Sequence, residues 1–213
     1  MGWTGQHAEH YKNGIVDRKA ECDAYFLEGL NRGFYEVLKS TMVGSTYYAA
    51  VKPLKKYRGA DEIVDIPETD REVFGIVFLT SIDSKDYYNF SYKPMDETMG
   101  PCYYDCPESI LKLLSPTDNE YAINWRKKCY EQIERKKKYN AFKKLPYGTV
   151  IKVIMPYDTK YFKKGDIIKL RKDCSWYGNR TLWMVVGMSV KFPSTMMRDM
   201  ADCYEIIKEG TIL

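Results

Sequence analysis

Three groups of side chains in this 213-residue sequence could do chemistry. The densest is cationic. Arg126, Lys127, Lys128, Arg135, Lys136, Lys137, Lys138, Lys143 and Lys144 fall within nineteen residues, interleaved with Trp125, Tyr130, Tyr139 and Phe142. Lysine and arginine at this density release counterions from phosphates, and exposed aromatic rings stack on unpaired bases. Nucleic acid is therefore one partner the run would suit, and an acidic protein is another. The competing reading is a solvated helix end, whose cations also offset the negative end of the helix dipole.

The second group is acidic. Asp96, Glu97 and Asp105 flank the Gly100-Pro101 turn and could serve as general acids or divalent-metal ligands, as a nuclease or hydrolase needs. Carboxylates in loops more often cap helices or sit solvated in turns. The third group is His7 and His10 with Cys102 and Cys106, residue types that bind zinc tetrahedrally. Against a metal site, two histidines three positions apart point to opposite faces of a strand. The two pairs also lie more than ninety residues apart. A Cys–His nucleophile could be drawn from Cys22 or Cys106 with His7 or His10, yet no hydrolase signature surrounds them. Met42-Val43-Gly44-Ser45-Thr46 lacks the lysine and second glycine of a phosphate loop. No residue is assigned a catalytic or metal role, and no cofactor is implied.

The elements that must position these groups can be read from local pattern. Gln6–Tyr11 suits a short strand, with a turn at Lys12-Asn13-Gly14. Asp17 is placed to cap a helix over Arg18–Leu27. Tyr35–Met42 and Thr46–Val51 form a hairpin about Val43-Gly44-Ser45. Lys52–Asp70, with two prolines, a glycine and many charges, reads as an exposed loop. Arg71–Ile82 is continuously apolar at its centre, as a central strand is, and Tyr87–Tyr92 should pair beside it. Asp105 or Cys106 would cap a short helix with Pro107 in its first turn and Leu111 and Leu114 facing inward. A longer helix runs from Asp118 to about Lys138, with Tyr121, Trp125, Cys129 and Ile133 as its apolar stripe.

From Leu145 onward the pattern changes to short β runs, Thr149–Met155, Asp166–Leu170, Thr181–Val186 and Tyr204–Ile207. The Gly165-Asp166 turn opening a strand, and a helical turn near Thr195–Asp199 before the last one, resemble a five-strand SH3-like barrel. The expected fold class is α+β: an antiparallel sheet with covering helices over residues 1–144, ending in the basic helix, then a small SH3-like unit over 145–213.

Composition narrows the class further. Hydrophobic residues make up 45% and charged residues 29%, which suits a packed globular chain rather than a disordered one. No apolar run approaches the roughly 18 residues of a membrane span, and the opening MGWTGQHAEHYKNG has no signal-peptide pattern. A cytoplasmic protein is expected, with its six cysteines as free, mostly buried thiols. The net charge of +4 hides an asymmetry: residues 1–125 hold 13 basic and 20 acidic side chains, while residues 126–144 hold nine and two.

The phrases MGWTGQHAEHYKNGIVDRKAECDAYF, LKSTMVGSTYYAAVK, MDETMGPCYYDCPESILKLLSPTDNEYA and WRKKC resemble a family of uncharacterised proteins carried on conjugative and other mobile elements of Gram-positive bacteria. The resemblance spans roughly residues 1–145. It implies a bacterial accessory protein and no named activity, and genes of this kind often serve maintenance, transfer or defence against restriction and CRISPR systems. The leading expectation is a non-enzymatic, nucleic-acid-binding or nucleoprotein-binding anti-defence factor with no membrane partner. A metal-dependent nuclease or hydrolase using the loop carboxylates is the alternative, and a structural module is a third.

Overall fold

The computed structural model describes residues 4–28, 33–59, 62–84, 87–94, 103–154, 163–172, 181–185, 191–193 and 203–210. Its first elements are β1 (Thr4–His7), β2 (Tyr11–Lys12), β3 (Ile15–Val16), α1 (Arg18–Glu28), β4 (Tyr35–Val43) and β5 (Thr46–Pro53). Then come β6 (Lys55–Arg58), β7 (Glu62–Asp65), a 3-10 turn at Glu68–Asp70, β8 (Phe74–Ser84), β9 (Tyr87–Pro94), α2 (Glu108–Leu111) and α3 (Glu120–Lys143). The last strands are β10 (Val150–Val153), β11 (Ile167–Lys172), β12 (Thr181–Val185), β13 (Lys191–Pro193) and β14 (Tyr204–Lys208). All strand pairs are antiparallel, so the chain is a mixed α+β protein built on antiparallel sheets. It divides into two compact units, Met1–Ile133 and Glu134–Leu213, and the division falls inside α3.

A strand with an uninterrupted apolar run needs cover on both faces. In the first unit β8 and β5 lie inside a sheet of order β1-β9-β8-β5-β4, and they receive that cover. Tyr47, Ala49, Val51, Ile76 and Phe78 point to one face and pack with Cys22 of α1. Tyr48, Ala50 and Val77 point to the other and pack with Ile110 and Leu111 of α2 and with Trp125 and Cys129 of α3. The result is helix, sheet, helix in three layers. Gly75 makes the close approach of α3 possible, because a Cβ there would meet the Trp125 ring at 3.3 Å.

Short polar side chains fix these elements in place. Asp17 Oδ1 accepts from the Lys19 and Ala20 backbone N–H groups at 3.1 Å each, so it caps α1 as its sequence position predicts. Asp23 Oδ1 accepts from the Tyr47 hydroxyl and from Ser40 Oγ, both at 2.7 Å, and holds α1 on β4 and β5. Buried Glu21 accepts from the Glu9 and His10 N–H groups at 2.6 Å, tying the N-terminal segment to α1. Asn13 and Gly14 both have positive φ in the β2–β3 turn, as an Asn-Gly pair should.

Four local expectations are corrected. The strand expected over Gln6–Tyr11 is split between β1 and β2. The stretch expected to be loop contains the β6–β7 ribbon, in which Lys55 faces Asp65 and Arg58 faces Glu62. Cross-strand charge pairing stabilises a strand that has no apolar alternation to reveal it. Neither Asp105 nor Cys106 caps α2; Pro107 stands at that position, with no side-chain cap hydrogen bond. Finally, α3 begins two residues after Asp118, capped by Asn119 Oδ1 accepting from the Ala122 N–H at 3.0 Å, and it continues past Lys138 to Lys143.

In the second unit the sheet order is β13-β12-β11-β10-β14. Ile151, Val153, Ile168 and Leu170 form its core with Phe142 from α3 and Cys203. The Gly165-Asp166 turn is present, with Gly165 at φ +93° and Asp166 Oδ2 accepting from the Lys163 N–H at 2.6 Å. Among the described residues the sheet is open, with β13 and β14 at its edges. The helical turn expected at Thr195–Asp199 lies outside the described residues. Among those described, no helix is long and apolar enough to cross a membrane.

Candidate nucleic-acid interface

Successive residues of an α-helix advance 100° about its axis, so the basic residues of α3 can be placed around it. Trp125 and Cys129 are buried, and Ile133 is half-buried, along the stripe facing the first sheet. One and two turns further on, the same stripe carries Lys136, Lys137 and Asn140. Beyond the division, Phe142 is fully buried in the core of the second unit.

Before the division Arg126 is half-buried, while Lys127 and Lys128 are exposed. Arg126 Nη1 donates to the Ser115 carbonyl at 2.6 Å, and burial pulls its guanidinium pKa below the usual value. Ser115 in turn exchanges two hydrogen bonds with the Val73 backbone, so Arg126 secures the α2–α3 connection where β8 begins. Lys128 Nζ donates to the Tyr104 hydroxyl at 3.3 Å and lies 5.1 Å from the ring centroid. Lys127 reaches Glu131 at 4.0 Å.

Arg135, Lys136, Lys137, Lys138 and Lys144 are all solvent-facing. Lys137 Nζ lies 2.7 Å from Glu134 Oε1, a surface pair that contributes little and weakens with salt. Lys143 closes the helix. The unit Glu134–Leu213 holds 17 basic and eight acidic residues, against 16 and 21 in Met1–Ile133. Lys152, Lys163, Lys164, Lys169 and Lys208 of the second unit are exposed as well. Sequence reasoning passed over these five; the available signal was the alternation of lysine with apolar residues along β10 and β11.

Among the described residues, the other candidate groups do not assemble. Asp105 Oδ1 accepts from Gln132 Nε2 at 3.4 Å, and its N–H donates to the Tyr48 hydroxyl at 3.3 Å. Asp96, Glu97 and Cys102 lie outside the described residues. Cys106 is buried beside Cys129, and burial raises both thiol pKa values, that of Cys129 to about 12. Burial raises the Cys22 pKa as well. A buried neutral thiol is a poor nucleophile. His7 is exposed on β1, while His10 Nδ1 lies 3.5 Å from Glu21 Oε2, too long for a strong hydrogen bond. Among the described residues no three His, Cys, Asp or Glu side chains are grouped to hold a metal.

No family model, curated protein or solved structure matches the chain.

Proposed function

We propose that this chain is a non-enzymatic binding protein of mobile genetic elements. It acts in the cytoplasm as an anti-defence factor, anti-CRISPR or antirestriction. It contacts a nucleic-acid-handling complex through the basic end of α3 and the sheet that follows. The observation that carries this reading is the segregation of charge. Arg135 to Lys138 and Lys144 are exposed in a unit with nine surplus positive charges, against five surplus negative charges in the unit before it. We read that unit as an SH3-like barrel, because its last strand returns to pair with its first, as in such a barrel. The mobile-element setting comes from the resemblance of residues 1–145.

The test is binding of a labelled oligonucleotide across a salt series. Each phosphate contact adds roughly 0.7–0.9 to the log–log slope, so three or four contacts give a slope of about 2–4. Replacing Arg135, Lys136, Lys137, Lys138, Lys143 and Lys144 with glutamine should flatten it. Adding the protein to a restriction or CRISPR effector reaction should slow target cleavage, and chelator should leave binding unchanged. Absence of oligonucleotide binding at low salt counts against nucleic acid as the contact. Chelator-sensitive cleavage of the oligonucleotide by the protein alone would establish the nuclease alternative instead.

A further inference from the structure

The second unit's sheet has one face turned to its core and one turned to water, and the outward face carries a pattern. Val150 lies directly opposite Lys208 on β14 and Lys169 on β11, so the three side chains form one row across the sheet. In the next outward row, Lys152 lies opposite Glu205 on one side and Ile167 on the other. Strand spacing puts Lys208 and Lys169 about 10 Å apart at the backbone, and Lys152 is about 7 Å from Val150 along β10. All three lysines are exposed, and Ile167 is 42% exposed between them. An outward sheet face is polar by default, but its charges are ordinarily of both signs. Among the described side chains of this face, three lysines share one carboxylate. That carboxylate, Glu205, lies 3.8 Å from Lys152 with both side chains about half exposed, a contact a stronger anion can displace. Among the described residues neither Lys169 nor Lys208 has a carboxylate in ion-pair range.

We propose that this outward face is a docking surface for single-stranded nucleic acid, with Lys152, Lys169 and Lys208 holding successive phosphates and Val150 and Ile167 contacting the sugars and bases between them. The inference rests on the nucleic-acid reading above and places a contact surface on the sheet, separate from α3. Charge complementarity selects the occupant, because cations alternate with apolar side chains at the fixed intervals of a sheet. A single strand likewise alternates phosphate with apolar ring at fixed intervals. Entering a duplex groove takes a protruding helix or ribbon, and this face belongs to a sheet five strands wide.

The experiment uses the full chain and a fluorescein-labelled single-stranded oligodeoxynucleotide, with binding measured by anisotropy from 50 to 200 mM salt. Removing three contacts with Lys152→Gln, Lys169→Gln and Lys208→Gln together should lower the log–log slope by about 2, which is about a 20-fold smaller loss of affinity across that range. The melting temperature should hold, and the corresponding three Lys→Arg changes should restore the slope. Should the triple variant fold poorly, Lys169→Gln alone should lower the slope by about 0.7. An unchanged slope in the sheet variants, with loss in the α3 variant, overturns the sheet surface and leaves the nucleic-acid reading standing. If the unaltered protein binds no strand at low salt, both fall. Equal affinity for a duplex, or for polyglutamate, overturns the single strand as occupant.

Discussion

In the first unit, Asp17, Glu21, Asp23 and Asp105 all accept hydrogen bonds from the protein itself, and three of them bridge segments far apart in sequence. In the second, Lys152, Lys169 and Lys208 and the cations from Arg135 to Lys138 reach into solvent. The difference follows from side-chain reach and bonding capacity. A carboxylate on a short stem can accept several backbone or hydroxyl protons at a helix start or a sheet face. A lysine on a long flexible stem gains more by staying hydrated, so a surplus of lysines adds little to the fold and remains available to a partner. The acidic balance of one unit is therefore partly architectural, and the basic balance of the other is a surface property.

Substitutions can break or sharpen that contrast. The largest effect belongs to neither charge class. Phe78 is fully buried, stacks on Tyr47 with ring centroids 5.4 Å apart and meets the Tyr25 ring edge-on at 5.6 Å. Phe78→Ala should cost about 3–5 kcal/mol by chemical denaturation. A loss under about 1 kcal/mol would remove β8 from the centre of the core.

Asp23→Ala should cost about 2–3 kcal/mol, because it strands the fully buried Tyr47 hydroxyl and the Ser40 hydroxyl without their acceptor. If Asp23→Ala is silent, the architectural role of the first unit's carboxylates fails at its strongest point. Asp17→Ala removes only a helix cap and should cost about 1 kcal/mol, with no change in oligonucleotide binding.

At the small end, neutralising the six cations from Arg135 to Lys144 should shift stability by no more than about 0.5 kcal/mol while changing the salt slope. A large loss of stability in that variant would make those cations architectural too and erase the contrast between the units.

Much of this was legible in the chain. The Asp17 cap, the Asn13-Gly14 turn, the hairpin about Gly44, the buried run ending in Phe78 and the stripe of Trp125 and Cys129 are local signals. Each depends on backbone dihedral preference or on periodicity within a few residues, so neighbouring residue types suffice to reveal it. Tertiary structure alone decided which charges matter to the fold. The sequence offers Arg126 and Arg135 as equal members of one basic run, yet Arg126 bonds the Ser115 carbonyl in a half-buried site and Arg135 is exposed. Glu21 and Asp23 look like ordinary acidic residues of a helix until the His10 backbone and the Tyr47 hydroxyl are brought against them. Lys152 and Lys169 become neighbours only when β10 pairs with β11. A charge acts through whatever lies within a few ångströms of it, and for these residues that neighbour comes from a distant part of the chain.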